Sequence, residues 1–200
     1  LSEHFIKHIQ SIDVKEVNDQ AVEAIQKINE IFELTMENGD VLKTRTVLVA
    51  TGSNPRKLGV KGEDTFANAG VAYCAICDAP LFKGKDVIIA GGGNSAVEAA
   101  IDVAKLAKNV IVIHRSQFRA DQVLIDKMMA QANITIHLES QILEIYGDTR
   151  MRGVKALNKK SNEEFSVEAD GIFIEIGNIP NSDLVKDLVD LNANQEVLVN

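Results

Sequence analysis

Cys74-Ala75-Ile76-Cys77-Asp78 sets two thiols three residues apart, and a glycine-rich turn, Gly91-Gly92-Gly93-Asn94-Ser95-Ala96, follows closely. The Cys-x-x-Cys spacing lets the second thiol resolve a mixed disulfide formed by the first, and such motifs lower a thiol pKa so that thiolate is populated near neutrality. A nicotinamide donates hydride, whereas a disulfide accepts electrons through thiolate chemistry. The two stations together imply a relay, with a flavin as the usual converter. Asp78, beside the dithiol, can shuttle the proton such an exchange moves; the same carboxylate also fits a helix-terminal cap.

The turn fits G-x-G-x-x-A, with Gly91, Gly93 and Ala96 at the defining positions. Gly91 permits a sharp turn, Gly93 lets backbone approach a pyrophosphate, and Ala96 lets helix and strand pack closely. Free N–H groups and the positive dipole end of the next helix then face the phosphates, with Asn94 or Ser95 expected as its cap. A bare glycine triplet is often only a tight turn. Here a preceding strand, a following helix and the βαβ length accompany it, which favours dinucleotide binding. Glu98, near the helix start, reads as compensation of the helix dipole.

At the end of the second strand, about twenty residues beyond the turn, an NAD-specific site places a carboxylate on the ribose 2′-hydroxyl. This sequence has His114-Arg115 there, with Arg119 in the same loop. Two guanidiniums suit a 2′-phosphate through charge-assisted hydrogen bonds, which points to NADPH. A solvated basic loop is the alternative.

These stations need a scaffold. Leu1, Phe5, Ile6 and Ile9 have helical spacing. Strands are expected near 12–17 and 21–28, then a hairpin of 31–36 and 41–50 joined by Asn38-Gly39, a pair that supplies the positive φ of a tight turn. The run Val47-Leu48-Val49-Ala50 would deliver Thr51-Gly52 at a strand end. Residues 53–72 carry Pro55, Gly59, Gly62 and Gly70 without a regular apolar period and read as a connector. The pattern then becomes strand 87–90, the glycine turn, helix 94–107, strand 110–114, helix 120–131 and strand 134–138. Buried strands alternating with amphipathic helices specify a Rossmann-like, doubly wound parallel α/β sheet. Strands near 141–146, 153–157 and 165–168 read as an antiparallel meander inserted before a strand at 171–176. A helix at 182–189 and a strand at 197–199 follow.

The 200 residues are 46% hydrophobic, enough for one large domain or two small ones. A formal charge of −8 disfavours a broad polyanion-binding surface, and hence nucleic acid as a partner. No apolar run approaches the roughly eighteen residues needed to cross a bilayer, and the first residues lack a signal peptide's apolar centre. A soluble, cytoplasmic protein without a membrane partner is expected. Both cysteines lie in the one motif, which excludes a multi-bridge secreted scaffold and favours a working redox pair in a reducing compartment. No metal site is expected, because zinc would need two further ligands and His4, His8, His114 and His137 are scattered.

The stretch from Gly70 to Lys85, with Tyr73-Cys74-Ala75-Ile76-Cys77-Asp78 and Pro80-Leu81-Phe82-Lys83-Gly84-Lys85, resembles the low-molecular-weight thioredoxin reductases. It is more similar still to the flavoprotein (F) component of alkyl hydroperoxide reductase. Gly92-Gly93-Asn94-Ser95-Ala96-Val97-Glu98, Ala120-Asp121-Gln122-Val123-Leu124, Ala50-Thr51-Gly52, Gly62-Glu63-Asp64 and Ile176-Gly177-Asn178-Ile179-Pro180-Asn181 extend the similarity over most of the chain. The resemblance implies an FAD-dependent pyridine nucleotide-disulfide oxidoreductase. Electrons would pass from NAD(P)H through FAD and the Cys74–Cys77 dithiol to a protein disulfide of thioredoxin, a peroxiredoxin or a fused thioredoxin-like domain.

The resemblance further implies Cys77 against the flavin, Cys74 exchanging with the protein substrate, Asp78 as acid/base and a homodimeric parent. It adds Thr51, Gly52, Ile176 and Gly177 to the cofactor-binding residues. It divides the chain into a pyridine-nucleotide domain, 72–176, and pieces of a discontinuous FAD-binding domain, 1–71 and 177–200. Rotation of one domain against the other is implied about connections near 70–73 and 171–177.

Two departures accompany the likeness. Ser116 replaces the second of two adjacent arginines in the thioredoxin reductase pattern, in a loop one residue shorter, whereas the similar alkyl hydroperoxide reductase flavoproteins carry an acidic residue near His114 and use NADH. The chain mixes the two patterns, so NADPH and NADH both stay open. The family's N-terminal glycine turn and later Gly-Asp motif, which hold FAD, do not occur in these residues. A fragment, inactive in isolation, is therefore expected; the competing reading is an isolated NAD(P)H-binding or redox-sensing module without flavin catalysis.

Overall fold

A computed structural model describes residues 2–12 and 14–199; Leu1, which opens the helical pattern, lies outside them. The chain divides into two compact units, Leu1–Gly52 with Pro180–Asn200, and Ser53–Ile179.

In the first unit, α1 (Ser2–Gln10) follows the expected helical spacing. Strands β1 (Val22–Ile28), β2 (Ile31–Met36) and β3 (Val41–Thr44) form an antiparallel sheet in chain order. The β1–β2 turn was not foreseen; it uses Asn29 at φ 54°, a left-handed conformation asparagine tolerates better than most residues. The β2–β3 turn differs from expectation, since only Gly39 has positive φ, at 84°. Asn38 contributes instead through its side chain, which accepts from the Asp40 N–H at 2.9 Å.

Two expected strands do not form, and a third is shortened. The described residues of 12–17 carry none, and 197–199 reduces to a single bridge between Leu191 and Val197. The run 47–50 lies beyond β3 without a ladder partner, leaving Leu48 92% exposed. The helix expected at 182–189 is a single 3-10 turn, Asp183–Val185.

The second unit begins with β4 (Ser53–Pro55), β5 (Val71–Ala72), α2 (Ala75–Asp78) and a 3-10 turn, Ala79–Phe82. Next come β6 (Asp86–Ala90), α3 (Asn94–Ala104), β7 (Asn109–Ile113), α4 (Gln122–Met129) and β8 (Ile134–His137). The meander β9 (Ser140–Gly147), β10 (Met151–Asn158) and β11 (Glu163–Glu168) precedes β12 (Gly171–Ile174) and β13 (Asn178–Pro180), which pairs with β4. The expected strand–turn–helix alternation is present, with element ends shifted by one to three residues.

Five parallel strands run in the order β5-β12-β6-β7-β8. Their central members are apolar on both sides because both faces are covered, as a parallel sheet requires. Val87, Ile89 and Phe173 pack with Val97 and Val103 of α3 and Met128 of α4. On the opposite face, Ile88, Ile172 and Ile174 pack with Ile142, Ile145 and Val154 of the meander. Phe82 meets Phe173 edge-on at 5.3 Å, which seats the α2 segment and its cysteines on the sheet.

The unit boundaries differ from the expected ones. Residues 53–71 pack in the central unit, where Phe66 and Val71 share a core with Ile172. The stretches expected to connect domains contain paired strands, with Val71 of β5 opposite Ile172 of β12. The chain passes between units after Gly52 and after Ile179. Among the described residues, no helix is long and apolar enough to cross a membrane.

Candidate functional site

Each glycine of the turn after β6 has its own physical reason. Gly91 has φ 152°, and a Cβ there would run into the Glu175 carbonyl and lie 2.7 Å from the Ala96 Cβ. Sharp turn and close helix–sheet approach therefore coincide, and Ala96 is fully buried. A Cβ on Gly92 would overlap the His114 imidazole. Gly93 occupies the N-cap of α3 in extended conformation, and nothing lies within 4 Å of where its Cβ would be. That open space at a helix N-terminus suits an approaching phosphate.

No side chain caps α3, contrary to the expectation for Asn94 or Ser95. The Asn94 carbonyl oxygen accepts from the Asp121 N–H at 2.9 Å, and its amide donates to the Asp121 carboxylate at 3.1 Å. Arg119 donates its N–H to the Gly92 carbonyl at 2.8 Å. Together these bonds pin the loop after β7 to the glycine turn.

A pocket of about 750 Å³ opens over the turn, within the size range of small-ligand sites. Gly91, Gly93 and Ser95 form one side; His114, Arg115 and Arg119 form another, and Ile176-Gly177 lies beyond β12. Three lining cations were not foreseen: Arg56, Lys57 and Lys159. Lys159 follows β10 and donates to the Arg115 carbonyl at 3.4 Å across 44 residues of sequence. Arg56 and Lys57 sit in the stretch that reads as a connector. Only the fold brings them together, so no local spacing could signal them.

The electrostatics of the pocket oppose those of the whole chain. Five cations line it against one carboxylate, Glu175, although the net charge is −8. Lys57 pairs with Asp64 at 2.6 Å, but among the described residues no carboxylate pairs with Arg56, Arg115 or Arg119. Such local focusing favours a polyanionic ligand.

His114 is buried, with its Nε2 at 3.2 Å from both the Gln117 carbonyl and the Ser116 hydroxyl. Burial, and then the Arg119 and Arg115 charges, push its pKa below the ordinary value against the opposing pull of the Gln117 carbonyl. Its ring forms a wall beneath Gly92. Burial raises the Glu175 pKa, while the Ala75 backbone amide opposes the rise.

Cys74 and Cys77 are disulfide-bonded. Cys74 is half-buried at the N-cap of α2, where its Sγ accepts from the Cys77 N–H at 3.3 Å; Cys77 is exposed. Asp78 stands at the N-cap of the following 3-10 turn without making a cap hydrogen bond. The capping alternative is therefore not realised. Thr51 and Gly52 belong to the first unit and do not line the pocket. The Thr51 hydroxyl donates to the Asn181 carbonyl at 2.6 Å, and the Asn181 N–H donates to the Gly52 carbonyl at 3.0 Å.

The residues present fit a pyridine dinucleotide better than FAD. The pocket has a glycine turn, an uncapped helix start and a surplus of cations. In the first unit, the described residues offer a three-stranded antiparallel sheet and Thr51-Gly52, but no strand–glycine turn–helix cradle for a flavin pyrophosphate.

A family model described as pyridine nucleotide-disulphide oxidoreductase matches residues 3–200. The chain is 40% identical over 194 residues to NADH dehydrogenase of Bacillus subtilis (strain 168), covering 96% of this chain and 38% of that protein. It is 38% identical over 199 residues to the F component of alkyl hydroperoxide reductase from Staphylococcus aureus (strain MRSA252), covering 99% and 39%. It thus spans about two fifths of the length of these relatives. Among solved structures, the thioredoxin reductase of T. acidophilum matches with a TM-score of 0.82 and 32% identity, over 100% of this chain and 66% of that one. The thioredoxin reductase of Lactococcus lactis matches with a TM-score of 0.81 and 30% identity, over 90% and 60%. The expected α/β fold with its parallel sheet agrees with these neighbours.

Proposed function

The chain belongs to the pyridine nucleotide-disulphide oxidoreductase family, and from that premise we propose that it carries the nucleotide pocket and redox dithiol of an NAD(P)H:disulfide oxidoreductase. The observation that carries this reading is the cationic pocket over Gly91–Gly93, in the same compact unit as the Cys74–Cys77 disulfide. Arg115 and Arg119 make NADPH the favoured donor, with NADH as the alternative. Gly93, Ser95 and the start of α3 would hold the pyrophosphate.

Reduction of the disulfide takes two electrons and two protons to give two thiols. Cys74 would exchange with the protein substrate, Cys77 would face the electron donor, and Asp78 would move a proton to or from the thiol. FAD would supply the conversion between hydride and thiolate chemistry, but the described residues of this chain do not provide its cradle. The parent would be a cytoplasmic homodimer serving thioredoxin, a peroxiredoxin or a fused thioredoxin-like domain. Cys77→Ser in the full parent should abolish reduction of its disulfide partner. An unchanged rate would sink the assignment.

The lack of a flavin cradle among the described residues supports a second reading, in which these residues alone act as an NAD(P)H-binding or redox-sensing module. Purifying the chain, recording flavin absorbance and titrating NADH and NADPH separates the two. Stoichiometric bound flavin would exclude the bare module.

A further inference from the structure

Glu63 is 2% exposed and forms no ion pair among the described residues. Three donors hold it instead. Oε1 accepts from the Leu58 N–H at 2.9 Å and the Tyr73 hydroxyl at 2.8 Å, and Oε2 accepts from the Gly59 N–H at 2.7 Å. A buried carboxylate stabilised only by donors loses heavily when one is withdrawn, because water cannot replace it.

The local backbone is shaped for this arrangement. Gly59 takes φ 72°, as two successive N–H groups, those of Leu58 and Gly59, converge on one carboxylate. Gly62 takes φ 90° and leaves no room for a Cβ against the Ile145 backbone. Burial, then the hydrogen bond to Glu63, raise the Tyr73 pKa, so its hydroxyl stays protonated and donating.

The two ends of this cluster lead to different stations. Leu58 continues the pocket wall of Arg56 and Lys57, and the Arg56 N–H donates to the carbonyl of Gly177, another wall residue, at 2.9 Å. Tyr73 directly precedes Cys74. We infer that Glu63 is a positioning residue that couples the pocket to the dithiol, so that a dinucleotide drawing on Arg56 and Lys57 alters the reactivity of Cys74 through the Glu63–Tyr73 bond. The dinucleotide half of this inference rests on the proposed reading of the pocket. The link itself rests only on the three hydrogen bonds. Phosphates that shift the 56–59 backbone change how the Leu58 and Gly59 amides share the carboxylate, and Tyr73 is the remaining donor.

The test uses the whole chain after reduction, with iodoacetamide trapping each thiol and NADP+ and NAD+ as probes. In the wild type, a saturating dinucleotide should change the Cys74 alkylation rate about 5-fold or more, the low end of ordinary site-to-site coupling, and affect Cys77 less. Tyr73→Phe should remove that change while leaving dinucleotide affinity within about 2-fold. Without any nucleotide, Tyr73→Phe should also speed hydrogen exchange at the Leu58 and Gly59 amides and alter the Cys74 rate. Unchanged exchange and an unchanged Cys74 rate would overturn the link whether or not a nucleotide binds. Changes in both, with no dinucleotide binding, would keep the link, overturn its dinucleotide arm and refute the pocket's proposed function. Glu63→Asp, which keeps the charge but shortens its reach, should give the same loss of coupling as Tyr73→Phe; retained coupling would count against Glu63.

Discussion

The His114 imidazole occupies the space that a side chain on Gly92 would need. Gly92 is therefore fixed by packing, whereas its neighbour Gly93 faces open space at the start of α3. Gly92→Ala should overpack the ring and destabilise the chain by about 1–3 kcal/mol. Gly93→Ala should leave stability within about 0.5 kcal/mol, yet its methyl group would stand where the pyrophosphate is expected. Denaturant titrations beside calorimetric NADPH titrations will distinguish the two. A Gly93→Ala chain that binds dinucleotide as tightly as the wild type would remove the turn from the binding site.

Arg115 and Arg119 bear on nucleotide choice. A hydrogen bond to a charged group contributes about 1.5–3 kcal/mol, or roughly 10- to 100-fold in affinity. Arg115→Ala and Arg119→Ala should each weaken NADPH by an amount in that range and NADH by less than about 3-fold. Lys159→Ala should act in the same direction but more weakly, since its ammonium already donates to the Arg115 carbonyl. Equal losses for both nucleotides would show that the loop does not read a 2′-phosphate.

What the sequence made legible and what it hid follow one rule. Gly91 and Ala96 were readable because strand, turn and helix are consecutive, so their roles depend on neighbours within a few positions. Arg56, Lys57 and Lys159 were not, because they reach the pocket from distant segments that share no local period. Asn94 misled for a related reason: its side chain is taken by Asp121, 27 residues away. The run 47–50 has strand-forming residues, yet no neighbour among the described residues pairs with it, and a strand is a property of two chains of hydrogen bonds. Glu63 was legible as a motif member, but its burial and its donors required the fold.

Acid stability should report the staple between residues 53–72 and the meander. Glu144 accepts from Lys61 at 2.7 Å and Lys155 at 2.9 Å. The Lys155 and then the Lys61 bonds lower its pKa from 4.5 to about 2. A carboxylate depressed in the folded state adds stability above its unfolded value, and that stability is lost as pH falls through the folded value. Glu144→Gln should therefore lower the melting temperature modestly at neutral pH, since the pair lies near solvent, and the two profiles should converge as pH falls from 4.5 towards about 2. Asp148, also lowered to about 2 by Arg152, supplies a residual slope in both proteins. Parallel profiles for wild type and variant would show that the pair contributes nothing.

Glu175 should tune the pocket in the opposite sense. Its pKa is raised by burial, so its stabilising balance holds at low pH and is lost as pH rises through the raised folded value. Ionisation also adds negative charge beside a ligand rich in phosphate. Dinucleotide affinity should accordingly decline as pH rises through that value. NAD+ is the suitable probe because its phosphodiesters keep constant charge across this range, unlike a 2′-phosphate. In Glu175→Gln the decline should disappear and NAD+ should bind more tightly at neutral pH, by a few-fold, as expected for removal of one screened like charge. Titrations of both proteins from pH 4.5 to 8 measure this directly. A decline that persists unchanged in Glu175→Gln would place the responsible proton elsewhere.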